Sequence, residues 1–214
     1  EFSDYKTVTY INQNQLVLDD FKAFQEAGYH ITSNLRDAIF DVADFGIPQH
    51  RKRVIILGVN KALGTRDSAL CKKILDEFYT VLMPLYKKNA KPRTVRSAIG
   101  DMPAIYPSKD ILKKDGHKYS HQPIDGSGMK NHIPRFHSER DQKIFTMLAE
   151  DIESGRNEYI STDSLKELYT KMTGKKSNIH KYYVLRWDEP SNTIPAHLYK
   201  DGMRHIHPDP TQAR

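Results

Sequence analysis

Between a turn and an apolar run, the chain places Gln49, His50, Arg51, Lys52 and Arg53 in succession. All five side chains carry nitrogen donors, and arginine adds a rigid fork that matches planar or anionic groups. In extended chain, side chains alternate, so Gln49, Arg51 and Arg53 would share one face and His50 and Lys52 the other. A row of this kind leading into a buried strand suits a planar or anionic ligand. It also suits a solvated basic edge that discourages strand pairing, and composition does not separate the two readings.

A second set of cations lies further along: Lys113, Lys114, Lys118, Lys130 and Arg135, followed by Arg140, Lys171, Lys175 and Lys176. Interleaved with His, Ser and Asn, they could track phosphates and reach base edges, or simply face water. His117 and His121 have a spacing that some metal sites use, with His132 and His137 nearby. No cysteine accompanies them and loops are expected around them, so no metal is assigned. Cys71 is the sole cysteine. It falls inside an expected amphipathic helix and reads as a packing residue.

These groups need elements to position them. Residues 18–27 carry apolar side chains at helical spacing, and Gly28 is a natural stop. Residues 29–35 read as a strand, and 44–48 as a turn holding both Gly46 and Pro48. The run Val54-Ile55-Ile56-Leu57-Gly58-Val59 has the pattern of a strand buried on both faces of an α/β sheet. Asp67 or Ser68 is expected to cap a helix with Leu70, Ile74, Phe78 and Leu82 inward, ending near Pro84. Residues 89–134 suggest loops and short strands. Ser138 should cap a helix over 139–152, with Ile144, Met147, Leu148 and Ile152 inward. A shorter helix should follow Asp163 through Leu165, Leu168 and Met172, and 182–185 should be a strand. Three parts result: 1–60, the end of a helix–strand–strand unit of an α/β domain; 61–180, a separate, polar, loop-rich module; and 181–214, a return to ordered strand and turn.

Bulk properties narrow the setting. A formal net charge of +6 permits a polyanionic partner without proving one. A single cysteine excludes an intrachain disulfide. No apolar run reaches the ~18 residues of a spanning helix. The start, Glu1-Phe2-Ser3-Asp4-Tyr5-Lys6, has neither the basic stretch nor the apolar core of a signal peptide. A soluble, cytoplasmic protein is the expectation, and the absence of an initial Met suggests a processed or partial chain.

The stretch from Asp44 through Phe45-Gly46-Ile47-Pro48-Gln49-His50-Arg51-Lys52-Arg53 to Gly58 resembles the Gln-x-Arg-x-Arg motif of the cytosine-C5 DNA methyltransferases. That motif is a Gly-x-Pro-Gln turn, then Arg-x-Arg, then an apolar strand ending in Gly. Gly28-Tyr29 and Leu35-Arg36-Asp37-Ala38 match the preceding piece. Thr94 to Pro103 resembles the opening of the family's target-recognition region. Arg186-Trp187-Asp188-Glu189-Pro190-Ser191-Asn192-Thr193-Ile194 matches the motif that follows that region, and His207-Pro208-Asp209 with Arg214 matches the lead-in to the last motif.

The resemblance implies a partial S-adenosylmethionine-dependent methyltransferase sheet joined to a small, irregular recognition domain. Enzymes of this kind flip a cytosine out of the duplex, add a cysteine thiolate to the ring and methylate carbon 5. Arg53 then corresponds to the arginine on the cytosine oxygen, where a fixed guanidinium stabilises developing charge. Arg51 and Gln49 brace the pocket and nearby phosphates. Thr193 contacts the nucleic-acid backbone beside the flipped nucleotide, and residues 186–190 pack the recognition module. The family's glycine-rich donor loop, its Pro-Cys nucleophile and its Glu-Asn-Val segment are not found, and Glu1 falls about where the last should have just ended. The expected chain is a portion of a DNA (cytosine-5-)-methyltransferase from a bacterial restriction-modification system, acting in the cytoplasm at the nucleoid. Its partners are double-stranded DNA and the missing amino-terminal catalytic portion; S-adenosyl-L-methionine serves the complete enzyme and is not bound by this chain alone. A non-catalytic subunit of a split enzyme and a tRNA cytosine methyltransferase of the same fold are the alternatives.

Overall fold

The computed structural model describes residues 26, 28–32, 35–60, 68–114, 116–122, 132, 135–176, 182–196 and 202–214. The helix expected over 18–27 lies almost wholly outside them, as does Lys130. The described chain is mixed α/β: helices and three two-stranded antiparallel sheets. It divides into two units, one of Glu1–Phe45 with Lys52–Lys91 and the other of Gly46–Arg51 with Pro92–Arg214. The helical segment after residue 67 therefore packs with the first unit, whereas the sequence suggests a boundary near residue 60.

In the first unit the strands are β1 (Tyr29–Ile31), β2 (Ile39–Asp41), β3 (Lys52–Val54) and β4 (Gly58–Asn60). Gly28, at φ +85°, turns the chain into β1 through a conformation that disfavours side chains. β1 pairs with β4, Tyr29 opposite Asn60; β2 pairs with β3, Phe40 opposite Arg53. The buried strand expected over 54–59 is thus two pieces held by different neighbours. Between them Ile55, Ile56 and Leu57 are 46, 39 and 38% exposed. The ladder is interrupted because Tyr79 satisfies the link: its hydroxyl donates to Ile55 O at 2.9 Å and accepts from Leu57 N–H at 2.7 Å.

Helix α1 (Ser68–Glu77) continues through a wide π turn, Phe78–Leu82, into α2 (Met83–Asn89). Pro84 does not end it. The π turn lets Met83 N–H reach back to Phe78 O, so the helix passes the residue that has no N–H to give. The inward stripe also differs from expectation. Cys71, Leu75 and Tyr79 are buried, whereas Leu70, Ile74 and Leu82 are exposed, because the strands lie against the neighbouring face.

The second unit contains α3 (Val95–Ile99), the hairpin β5 (Pro107–Lys114) and β6 (His117–His121), α4 (Glu139–Glu153) and α5 (Thr162–Thr173). Ser138 caps α4, accepting from Asp141 N–H, and Ser161 rather than Asp163 caps α5. The core joins Ile144, Phe145 and Leu148 of α4 to Leu165 and Leu168 of α5 and to Tyr182, Val184 and Ile206. Met147, Ile152 and Met172 lie half-buried against it. The strand expected at 182–185 is extended chain forming a single parallel bridge, Val184 to Ile206. Asp151 is buried between the helices, where its carboxylate accepts Glu158 N–H and Tyr159 N–H, both at 3.0 Å.

Histidines are part of this core. His121 is fully buried; its Nε2 lies 2.7 Å from Gln212 O and its Nδ1 2.9 Å from Ser120 Oγ. His137 packs edge-on against Phe145 at 5.1 Å. His207 Nδ1 accepts Asp209 N–H, so its proton sits on Nε2. Burial pushes His137 and His207 down from 6.5 to about 4, helped by the His121 ring beside the first and Arg214 beside the second. As pH falls from about 6.5 to 4, the unfolded chain takes up protons at these rings that the folded chain refuses. Their contribution to stability is therefore complete above about pH 6.5 and is lost towards pH 4. Urea midpoints measured across that window should fall steadily, and His137→Phe, which keeps the ring but cannot titrate, should flatten the decline.

Candidate functional site

The site is built on a turn. Val42–Phe45 form a 3-10 turn in which Asp41 Oδ1 accepts Ala43 N–H, and Gly46 reverses the chain at φ +80°. Pro48 follows, leaving its carbonyl available. Ser191 N–H donates to Pro48 O at 3.0 Å and His50 N–H donates to Ser191 O at 2.8 Å, making a parallel bridge between Gln49 and Ser191. Side chains extend the closure: Thr193 Oγ1 donates to His50 O at 2.6 Å, and Arg51 Nη1 to Ile194 O at 3.2 Å. Segments 143 residues apart in the chain are stitched into one short ribbon.

The ribbon brings together Gln49, Arg51 and Thr193. Gln49 and Arg51 are half-buried; His50 and Thr193 are exposed. Arg53 belongs to the first unit and to a different ladder, on β3, where Lys52 is also exposed. Exposure alternates along 49–52, with Gln49 and Arg51 half-buried and His50 and Lys52 exposed, and Arg53 is exposed as well. The Arg53 guanidinium is exposed and donates from Nη1 to Lys52 O at 2.7 Å. Thr193 has its one proton committed to His50 O. A phosphate oxygen only accepts, so a contact from Thr193 to a nucleic-acid backbone requires that proton to be redirected.

A second junction joins two segments singled out from sequence, Thr94 to Pro103 and residues 186–190, whose pairing with each other was not expected. Thr94 and Ser97 form a reciprocal capping box at the start of α3. The first free N–H groups of that helix donate across the chain, Val95 to Glu189 O at 2.9 Å and Arg96 to Trp187 O at 2.8 Å. The Arg96 fork grips both oxygens of Asp188, at 2.9 and 3.3 Å, holding that carboxyl below its ordinary range. It also lies 5.2 Å from the centre of the Trp187 ring, which meets His207 edge-on at 5.4 Å. Trp187 is thus engaged in packing. The Thr-x-x-Ser spacing was the available signal for the helix start; nothing local in the sequence pairs Arg96 with Asp188.

Lys113 and Lys118 are exposed and stand directly opposite each other on the hairpin, with Lys114 opposite His117. Like charges at opposed positions weaken strand pairing unless an anion lies between them. Arg135 is also exposed. His121 and His132 each direct a ring nitrogen at a backbone carbonyl, and among the described residues no three His, Cys, Asp or Glu side chains converge as metal ligands.

The ribbon gives a stability prediction. Thr193→Val removes one hydrogen bond and should cost about 0.5–1.5 kcal/mol. In hydrogen exchange, the His50 and Ser191 amides should exchange slowly together, although His50 is exposed, and Thr193→Val should speed both. Fast exchange at His50 in the parent would mean that the bridge does not hold.

The family model for C-5 cytosine-specific DNA methylase matches residues 10–211. The Type II methyltransferase M.Bpa9945I of Bacillus paralicheniformis is 28% identical over 233 residues, covering 100% of this chain and 48% of its own length. M.XorII of Xanthomonas oryzae pv. oryzae is 27% identical over 114 residues, 53% of this chain and 22% of its own. M.MthTI of Methanothermobacter thermautotrophicus is 26% identical over 121 residues, 55% of this chain and 32% of its own. No solved structure matches at a significant level. The chain spans about half the length of the Bacillus relative and less of the other two. With the family match running over nearly the whole chain, this protein belongs to the C-5 cytosine-specific DNA methylase family.

Proposed function

We propose that this chain supplies target recognition and one wall of the flipped-cytosine pocket in a DNA (cytosine-5-)-methyltransferase of a type II restriction-modification system. The observation that carries this reading is the ribbon of Gln49 and Arg51 with Ser191, Thr193 and Ile194. Two segments that resemble separate family motifs meet there through direct hydrogen bonds. Of the residues 61–180 expected to recognise the target, those from Pro92 onward are assigned that role and 68–91 stay with the first unit; 181–214 are assigned as the return segment.

The chain's own residues have distinct tasks in this reading. Arg53 presents its guanidinium to the cytosine ring oxygen; among the described residues only one of its donors is engaged. A fixed cation there stabilises charge that develops on the ring as the bond to carbon 6 forms. Arg51 and Gln49 brace the pocket and nearby phosphates, and Lys113, Lys114, Lys118, Lys130 and Arg135 are assigned to the duplex backbone. The methyl donor and the nucleophile are assigned to another part of the enzyme, since residues 1–214 contain neither a Phe-x-Gly-x-Gly run nor a Pro-Cys dipeptide, and the chain alone is assigned no transfer activity.

Duplex binding tests the reading. Affinity should fall steeply with salt, because each neutralised phosphate contributes a slope of about −0.9 in the logarithmic plot. Lys113→Ala and Lys118→Ala should each reduce the slope by about one contact, equally on unrelated sequences. Salt-independent binding, or tighter binding to tRNA than to duplex, would overturn it.

Arg53→Ala in the complete enzyme should remove a charge-assisted hydrogen bond worth about 1.5–3 kcal/mol. Methyl transfer should then fall at least about tenfold while duplex affinity changes little, and Lys52→Ala should be milder. Parental rates in Arg53→Ala, or greater damage from Lys52→Ala, would remove Arg53 from the pocket.

A further inference from the structure

Arg53 stands in the middle of a strand of three residues, β3, and a strand that short must be held from outside itself. Tyr79 supplies such a hold. Past β3, Ile55 N–H still donates to Ala38 O at 2.9 Å, which extends the ladder with β2 by one residue. There the ladder ends. Ile55 O and Leu57 N–H turn instead to the Tyr79 hydroxyl, at 2.9 and 2.7 Å. A single hydroxyl both donates and accepts, so it clamps the backbone on each side of Ile56. Tyr79 is buried, which keeps both bonds out of competition with water.

The ring of Tyr79 reaches the same place by a second route. It stacks on Phe40, with centroids 6.1 Å apart and planes 12° from parallel. Phe40 is the residue directly opposite Arg53 in the β2–β3 ladder. Opposed residues of an antiparallel pair stand on the same face, so Phe40 is the cross-strand neighbour of the Arg53 side chain. Phe40 is itself braced edge-on by Phe45 at 5.7 Å. Tyr79 lies within the π turn Phe78–Leu82, a departure from α geometry that recurs at functional sites.

We propose that Tyr79 is a positioning residue for Arg53, fixing its strand through the backbone at Ile55 and Leu57 and through Phe40. The proposal rests on the role given to Arg53 above. A guanidinium aimed at developing charge is effective when it needs no reorganisation as the reaction proceeds. Loosening its strand therefore costs rate rather than duplex affinity.

Tyr79→Phe in the complete enzyme removes the clamp and keeps the ring on Phe40. It should lower kcat about three- to tenfold, with duplex affinity changed by less than about twofold. The loss should vanish in an Arg53→Ala background, where the double variant methylates at the rate of Arg53→Ala alone. Cys71→Ala, buried on the same helix but off the 55–57 link, is the control for lost stability and should leave kcat within about twofold. Parental kcat in Tyr79→Phe would overturn the proposal. So would an equal fold loss from Tyr79→Phe with and without Arg53, which is the signature of a general structural role. Parental rates in Arg53→Ala remove the reading of Arg53 and this inference with it; an impaired Arg53→Ala beside an unimpaired Tyr79→Phe removes this inference alone.

Discussion

The pairing of the turn at 48–51 with residues 191–194 is the constraint on which the second unit depends. Its two backbone hydrogen bonds join Ser191 to Pro48 and His50, and its two side-chain bonds come from Thr193 and Arg51. None of these is strong alone; a typical net value is about 0.5–1.5 kcal/mol each. Their effect lies in loop closure. The chain that leaves the ribbon at Arg51 returns to it at Ser191, and the entropy of closing so long a loop is offset because several contacts are made at once. The Arg96–Asp188–Trp187 junction adds a second lock only a few residues away, at which a helix start satisfies its free N–H groups on the returning chain.

Polar groups buried inside the second unit follow the same logic. Asp151 is surrounded by core residues yet accepts two backbone N–H groups, so the turn between α4 and α5 is closed without an orphaned donor. His121 and His132 close onto backbone carbonyls, and the depressed values of His137 and His207 show that these rings are held neutral inside protein. His137 and His207 are structural members of the unit, and the cost of charging them ties its stability to pH. The hairpin sets Lys113 against Lys118 at its exposed end, a local repulsion that an anion relieves.

Helix positions and caps were legible in the sequence wherever the signal is local. Ser138 before an apolar period, Leu165 and Leu168 at helical spacing, and Gly46-Ile47-Pro48 as a turn all appear in the structure, because capping, periodicity and φ preferences act over a few residues. Gln49, Arg51, Arg53 and Thr193 were singled out by their types and order, and the structure joins Gln49, Arg51 and Thr193 in one ribbon. Which face of α1 packs was not legible: the stripes through Ile74 and through Leu75 are both apolar, and only the position of Tyr79 on the 55–57 link decides between them. The split of the apolar run into β3 and β4 was hidden for the same reason, since it depends on which distant strands lie alongside. The pairing of Arg96 with Asp188 and of Thr193 with His50 was equally out of reach, because a hydrogen bond between residues about a hundred positions apart leaves no trace in the spacing of either one. Local backbone preference is written in neighbouring residues; the choice among equivalent faces and partners is made only when the whole chain has closed on itself.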